Sequence, residues 1–290
     1  MGGVFGKVGI VASLTVALIA GGCAGTDSSG DVQANGALAD PPAANGQAGT
    51  GGRNPTANLL RLANDVESRG SVATALPLYE RAAAEPDAGP DIFVALGDAY
   101  AKLNRDNDAA DAYRKALSKA ANDSRALLGL GSILIRSGQV EIGLEMLAKA
   151  APLVNSPEAY DRLGVAHIMS GQPREALASF EQAYSMNRTD PDIATNVALA
   201  AALLGQPARA IDLAQQTLTY SGIKPYHRRN LILALAISGK PAEAKAAAAG
   251  ALADQDVDEL LRRAETIRRL SNPRDRALAL GTIKIAAAQQ

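Results

Sequence analysis

The sequence predicts an all-α fold, a solenoid of six stacked helix-turn-helix units closed by a C-terminal capping helix. Three observations predict it. A small–large–small triplet recurs as Ala75, Tyr79 and Ala82, then Ala109, Tyr113 and Ala116, then Ala176, Phe180 and Ala183. Spacings of four and three put each triplet on one helical face, where the alanines admit a neighbouring helix and the ring fills the gap. Gly70, Asn104, Gly138, Gly171, Gly205 and Gly239 stand 34, 34, 33, 34 and 34 residues apart, and Gly and Asn are favoured where a helix ends in a left-handed turn. A unit that short cannot bury its apolar face alone, so its repetition implies stacking.

The remaining landmarks keep the same register. Five residues after each turn comes a small residue: Ala75, Ala109, Gly143, Ala176, Ala210 or Ala244. About eight residues before each stands a Leu-Gly-like pair: Leu62-Ala63, Leu96-Gly97, Leu130-Gly131, Leu163-Gly164 and Val197-Ala198, with Leu231-Ile232 as the weakest copy. Pro90, Pro157, Pro191 and Pro225 suit first helical turns. The repeats are thereby placed over residues 56–258. From Asp256 to Leu270, Val257, Leu260, Leu261, Ala264 and Ile267 keep helical spacing, with acids first and Arg262, Arg263, Arg268 and Arg269 later, as the helix dipole prefers. Residues 259–290 are read as a capping helix and tail, with one further helix left open beyond Pro273.

The chain opens differently. Residues 1–22 carry Lys7, an uncharged run from Val8 to Ala20 and then Gly21-Gly22, the pattern of an export signal too short to span a membrane. Cys23, the only cysteine, follows, which excludes internal disulfides. Residues 23–55 are rich in Gly, Ala, Asn, Asp and Pro and hold few large aliphatics, so they read as a disordered linker. As a flexible tether it has an r.m.s. span of about 30 Å and a limit of about 110 Å.

The repeat pattern, carried by Leu163-Gly164, His167, Gly171, Ala176, Phe180, Ala183 and Pro191, resembles the tetratricopeptide repeat. That resemblance implies a right-handed superhelical solenoid of about six tetratricopeptide repeats. The chain departs from it in having no Trp, and in Ala214 and Ala248 where a large ring is usual, which bears on the tightness of the last two units. Ala20-Gly21-Gly22-Cys23 resembles a bacterial lipobox, which implies lipidation of Cys23. By similarity to lipoprotein sorting signals, Ala24 rather than Asp after the cysteine implies the periplasmic side of the outer membrane over the inner one. An ordinary cleaved signal beside an incidental thiol is the alternative.

Catalytic chemistry finds little material. His167 falls where the repeat packs a large side chain, and His227, beside Arg228 and Arg229 at a helix start, is expected in solvent. Gly129-Leu-Gly131 lacks the third glycine and the lysine of a nucleotide loop, and it lies inside a repeat helix. Asp108/Asp111 and Glu141/Glu145 read as solvated faces. A net charge of −1 leaves no basic face for nucleic acid, and 3% aromatic residues leave few stacking platforms. The expectation is no enzyme, no metal, no cofactor and no small-molecule substrate, with protein partners and a membrane contacted only through the lipid.

What remains is a surface. In the resembled family the first helix of each unit lines a concave groove. The first half would be polar: Leu60, Asn64, Glu67, Val94, Asp98 and Lys102, then Leu128, Ser132, Ile135 and Arg136. The second half would form an apolar partner-binding strip. Unit four gives Val165, Ile168 and Met169, unit five Asn196, Leu199 and Leu203, and unit six Asn230, Leu233 and Ile237, with Asp161, Thr195 and Arg229 beside them. The alternative is that the C-terminal helices fold back and cover it.

Taken whole, Cys23, the turn from Gly171 to Ala176 and the stretch Tyr226-His-Arg-Arg-Asn-Leu-Ile-Leu-Ala-Leu-Ala-Ile-Ser-Gly-Lys-Pro-Ala-Glu-Ala244 resemble the TadD family of repeat lipoproteins from tight-adherence (Flp-type) pilus assembly. That resemblance implies an outer-membrane accessory that helps assemble the secretin channel and its pilus. A periplasmic adaptor for cell-wall synthases or hydrolases is the second reading.

Overall fold

The computed structural model describes residues 55–220 and 222–288, with side chains as far as Leu280. The export signal, Cys23 and the linker up to Asn54 lie outside the described residues. Fourteen α-helices and no strand are present among the described residues. The chain divides into two compact units, whose described parts are residues 55–119 and 120–288.

The first unit holds α1 (Pro55–Ser68), α2 (Val72–Ala84), α3 (Pro90–Lys102) and α4 (Asp106–Lys119). The second holds α5 (Ser124–Arg136), α6 (Val140–Val154), α7 (Pro157–Met169), α8 (Pro173–Met186), α9 (Pro191–Leu203), α10 (Pro207–Leu218), α11 (Pro225–Ile237) and α12 (Pro241–Ala248). These are the six expected pairs. The second unit continues with α13 (Asp254–Arg269) and α14 (Pro273–Ala288), so the further helix left open by the sequence is present. Residue 258, read as the end of the repeats, falls inside α13; the sixth pair ends at Ala248, ten residues earlier. The acids at Asp254 and Asp256 open α13, as the helix dipole prefers.

Local chemistry starts and stops these helices. Ser71, Asp123, Ser156 and Asp190 accept backbone N–H groups of the first turns of α2, α5, α7 and α9. Proline stands first in α3, α7, α9 and α11 as expected, and in α8, α10 and α12 as well. All six turn residues have positive φ, from 57° at Asn104 to 95° at Gly70. After α7 the amide of Gln172 returns to the carbonyl of His167 at 2.8 Å and that of Gly171 to Ile168 at 3.0 Å. The same pair of bonds closes α3, α5, α9 and α11.

The triplets sit where the spacing puts them. Ala75, Tyr79 and Ala82, Ala109, Tyr113 and Ala116, and Ala176, Phe180 and Ala183 are all buried. The glycines of the Leu-Gly pairs explain the rings. A Cβ on Gly97 would lie 2.6 Å from the Tyr113 ring, and one on Gly164 would lie 2.5 Å from Phe180. In the third pair Leu147 replaces the ring and the helices close further, so a Cβ on Gly143 would stand 2.8 Å from the Gly131 carbonyl oxygen. The ringless Ala214 and Ala248 are also fully buried, and the last two pairs are packed rather than open.

Candidate functional site

In the first unit the inner faces of α1 and α3 carry a polar network. Lys102 pairs with Glu67, and the Tyr79 hydroxyl is shared between the Glu67 carboxylate and Asn64 Oδ1, the latter at 2.7 Å. Burial would raise the Glu67 carboxyl, but the hydrogen bonds from Lys102 and Tyr79 outweigh it and hold the group below the usual carboxylate range. Burial first, and then the bond to Glu67, pushes the Tyr79 phenol well above its ordinary value. An open depression of about 300 Å³ lies beside this network, lined by Thr56, Leu60, Arg61, Asn64, Asp91 and Ile92 among others. Asn64, Asp98 and Lys102 are exposed and Leu60 is half-buried, as a groove requires; Val94, expected with them, is buried. Sequence reasoning missed Thr56, Arg61 and Asp91 because they lie outside the groove positions of the repeat, Thr56 and Asp91 in the first turns of α1 and α3.

The second unit differs from expectation. Val165, Ile168 and Met169 on α7, Asn196, Leu199 and Leu203 on α9, and Asn230, Leu233 and Ile237 on α11 come together, but all nine are buried. Their seven apolar members belong to one continuous core cluster. On α9 every residue from Ile193 to Leu203 is buried, as is every residue from Asn230 to Ile237 on α11. A helix buried all round has neighbours on every side. Here α13 packs on α11, while α14 returns to lie against α7, α8 and α9. The apolar strip is therefore covered by the chain's own C-terminal helices and is no open groove.

The polar members of the expected groove serve the junctions between pairs. Arg162 Nη1 donates to Ser132 Oγ at 3.1 Å, linking α5 and α7, and Asn196 Nδ2 donates to Asp161 Oδ1 at 2.8 Å, linking α7 and α9. The His227 ring meets Asp192, joined there by the Tyr226 hydroxyl at 3.1 Å, and links α9 and α11. Arg229 reaches Asp256 at 3.5 Å, linking α11 and α13. Within the second unit, α5, α7, α9, α11 and α13 are thus joined in succession by polar contacts.

Neither histidine stands where chemistry would use it. His167 is half-buried, its Nδ1 2.7 Å from Gln172 Oε1 in the turn after its own helix. His227, expected in solvent, is buried. Its Nδ1 accepts the Lys224 amide at 2.8 Å, so Nε2 carries the hydrogen directed at Asp192. It closes the start of α11 and the junction to α9 together. The sequence held that signal in the thirty-five residues separating His227 from Asp192, about one repeat.

The comparisons agree with this architecture. Residues 60–124, 94–158 and 157–190 match family models of the tetratricopeptide repeat. With the helix pairs on the page, the molecule is a tetratricopeptide-repeat solenoid, and such repeats are typically non-catalytic modules that bind proteins. Among curated proteins the chain is 30% identical over 144 residues to cellulose synthase operon protein C of Pseudomonas fluorescens, covering 46% of this chain and 11% of that protein. It is 28% identical over 89 residues to the type IV pilus assembly protein PilF of Pseudomonas aeruginosa, covering 30% of this chain and 35% of that one. The chain thus spans well under two thirds of the length of either. The solved structure of Pseudomonas aeruginosa PilF superposes with a TM-score of 0.59 at 18% identity, over 71% of this chain and 96% of that one. MamA from Desulfovibrio magneticus RS-1 gives 0.51 at 17% identity, over 57% and 94%. These likenesses show the fold.

Proposed function

We propose that the protein is a lipid-anchored scaffold on the periplasmic side of the outer membrane, helping to assemble a tight-adherence (Flp-type) pilus and its secretin channel in the manner of TadD-family lipoproteins. The observation that carries this is the 28% identity over 89 residues with a type IV pilus assembly protein, in a chain that also holds the lipobox-like Ala20–Cys23. Six helix pairs and thin catalytic material suit a scaffold. With the apolar strip covered, the exposed face available for docking in the first unit is the polar one around Asn64, Asp98 and Lys102. The cell-wall adaptor is the second reading, because the polar first-unit face names no partner.

Deleting the gene should abolish surface pili and the secretin multimer, and the wild-type chain should restore both. A Cys23→Ser chain should move from membranes to the soluble periplasmic fraction and restore neither. Intact pili with altered cell shape would favour the cell-wall adaptor instead.

A further inference from the structure

The second helices of the second unit share one apolar edge. Leu153 lies in the last turn of α6, Met186 is the last residue of α8, and Tyr220 stands just past α10. They are 33 and 34 residues apart, one repeat each time, so they hold the same position in successive pairs. Leu153 is 67% and Met186 37% exposed. Tyr220 is half-buried, and its hydroxyl donates to the Arg188 carbonyl at 3.5 Å. In the other pairs this position is charged, as Glu85, Lys119 and Asp254. The turns at the edge add cations, because Arg188 after α8 and Lys224 before α11 are both exposed. The acids there are engaged: Asp190 accepts the amides that start α9, and Asp192 is held by His227 and Tyr226. The exposed charge of these two turns is therefore positive.

Such a row is far short of the roughly 20–30 residues a side that a stable protein interface uses. Its chemistry is that of a bilayer interface instead. Aliphatic side chains there enter the acyl boundary, phenol rings sit at headgroup level, and Arg and Lys meet anionic phosphates. The chain before α1 supports this choice, since a tether of at most about 110 Å from Cys23 keeps the repeats beside a membrane. We propose that the edge marked by Leu153, Met186 and Tyr220 is a second membrane contact. It rests on an anionic phospholipid surface, with Arg188 and Lys224 at the headgroup phosphates. This builds on the lipid-anchored reading and adds how the second unit is laid on that membrane.

The chain has no Trp, so a single introduced one reports its own surroundings. The full chain carries either Met186→Trp or Ala178→Trp, the latter at an exposed position about two turns back on α8. Vesicles of phosphatidylethanolamine and phosphatidylglycerol are then added. Met186→Trp emission should move to shorter wavelength and be quenched by brominated acyl chains, while Ala178→Trp emission should stay as in buffer. Adding Arg188→Gln and Lys224→Gln should raise the lipid concentration needed by about thirtyfold. Leu153→Asp should raise it about tenfold. No change at residue 186, an equal change at both Trp positions, or indifference to the two cations would overturn the proposal. A lipid-free shift that grows with protein concentration would also overturn it, assigning the edge to a second copy. Fatty acid on Cys23 is read separately, from the mass of the N-terminal peptide. Contact at residue 186 without fatty acid keeps this inference and rejects the anchor; fatty acid without contact does the reverse.

Discussion

Asn196 on α9 donates to Asp161 on α7 at 2.8 Å, and both side chains are buried. A charge-assisted bond of this kind, out of water, fixes the register of the fifth helix pair on the fourth. Asn196→Leu keeps the volume but removes this donor from the carboxylate. It should destabilise the protein by about 2–3 kcal/mol, read as a lower urea midpoint. A loss under about 0.5 kcal/mol would mean the other contacts of Asp161 satisfy it.

Gly164 lies under the Phe180 ring, where an added Cβ would be 2.5 Å from the ring carbons. On an open helix Gly→Ala stabilises by up to about 1 kcal/mol. Here overpacking should win, and Gly164→Ala should cost about 1–3 kcal/mol. Adding Phe180→Leu should recover part of that loss, because the third pair already runs with Leu147 at the matching place. A double-mutant cycle on melting temperature reads the coupling, and strict additivity would reject the contact.

Leu199 has 1% of its surface exposed. Leu199→Glu should therefore destabilise the second unit by about 4 kcal/mol or more, through an unpaired buried charge and the lost packing. The expected observation is a non-cooperative melt or insoluble protein. A near-native melt would show that α14 swings aside and lets the carboxylate reach water.

The Glu67 carboxyl is held below its ordinary value of 4.5. A depressed folded pKa adds stability that is fully present above the unfolded value and is lost as pH falls through the folded one. Lys102 is about half exposed, so solvent screens the pair and its worth should stay under about 1 kcal/mol. Glu67→Gln should be slightly less stable than wild type at about pH 7, and the difference should shrink as pH falls below the ordinary value of 4.5. Denaturant midpoints across that range decide it, and a difference that persists at low pH would assign the effect to packing.

Much of the fold was legible in the sequence because its determinants are local and recur. A positive φ at Gly70, Asn104, Gly138, Gly171, Gly205 and Gly239 is a property of a three-residue turn, and Gly or Asn announces it. The small–large–small triplets follow from helical spacing, and the rings over Gly97 and Gly164 from one helix meeting the next in the chain. What only the tertiary structure decided is the fate of the inner faces. Val165, Leu199 and Leu233 carry the same apolar pattern whether a partner or the chain's own C-terminal helices cover them. Hydrophobic periodicity says which side of a helix is buried and not by what. Arg276 reaching Leu203, and His227 reaching Asp192, are choices of partner across 73 and 35 residues. They depend on where the stack brings helix ends together, a relation no local spacing encodes.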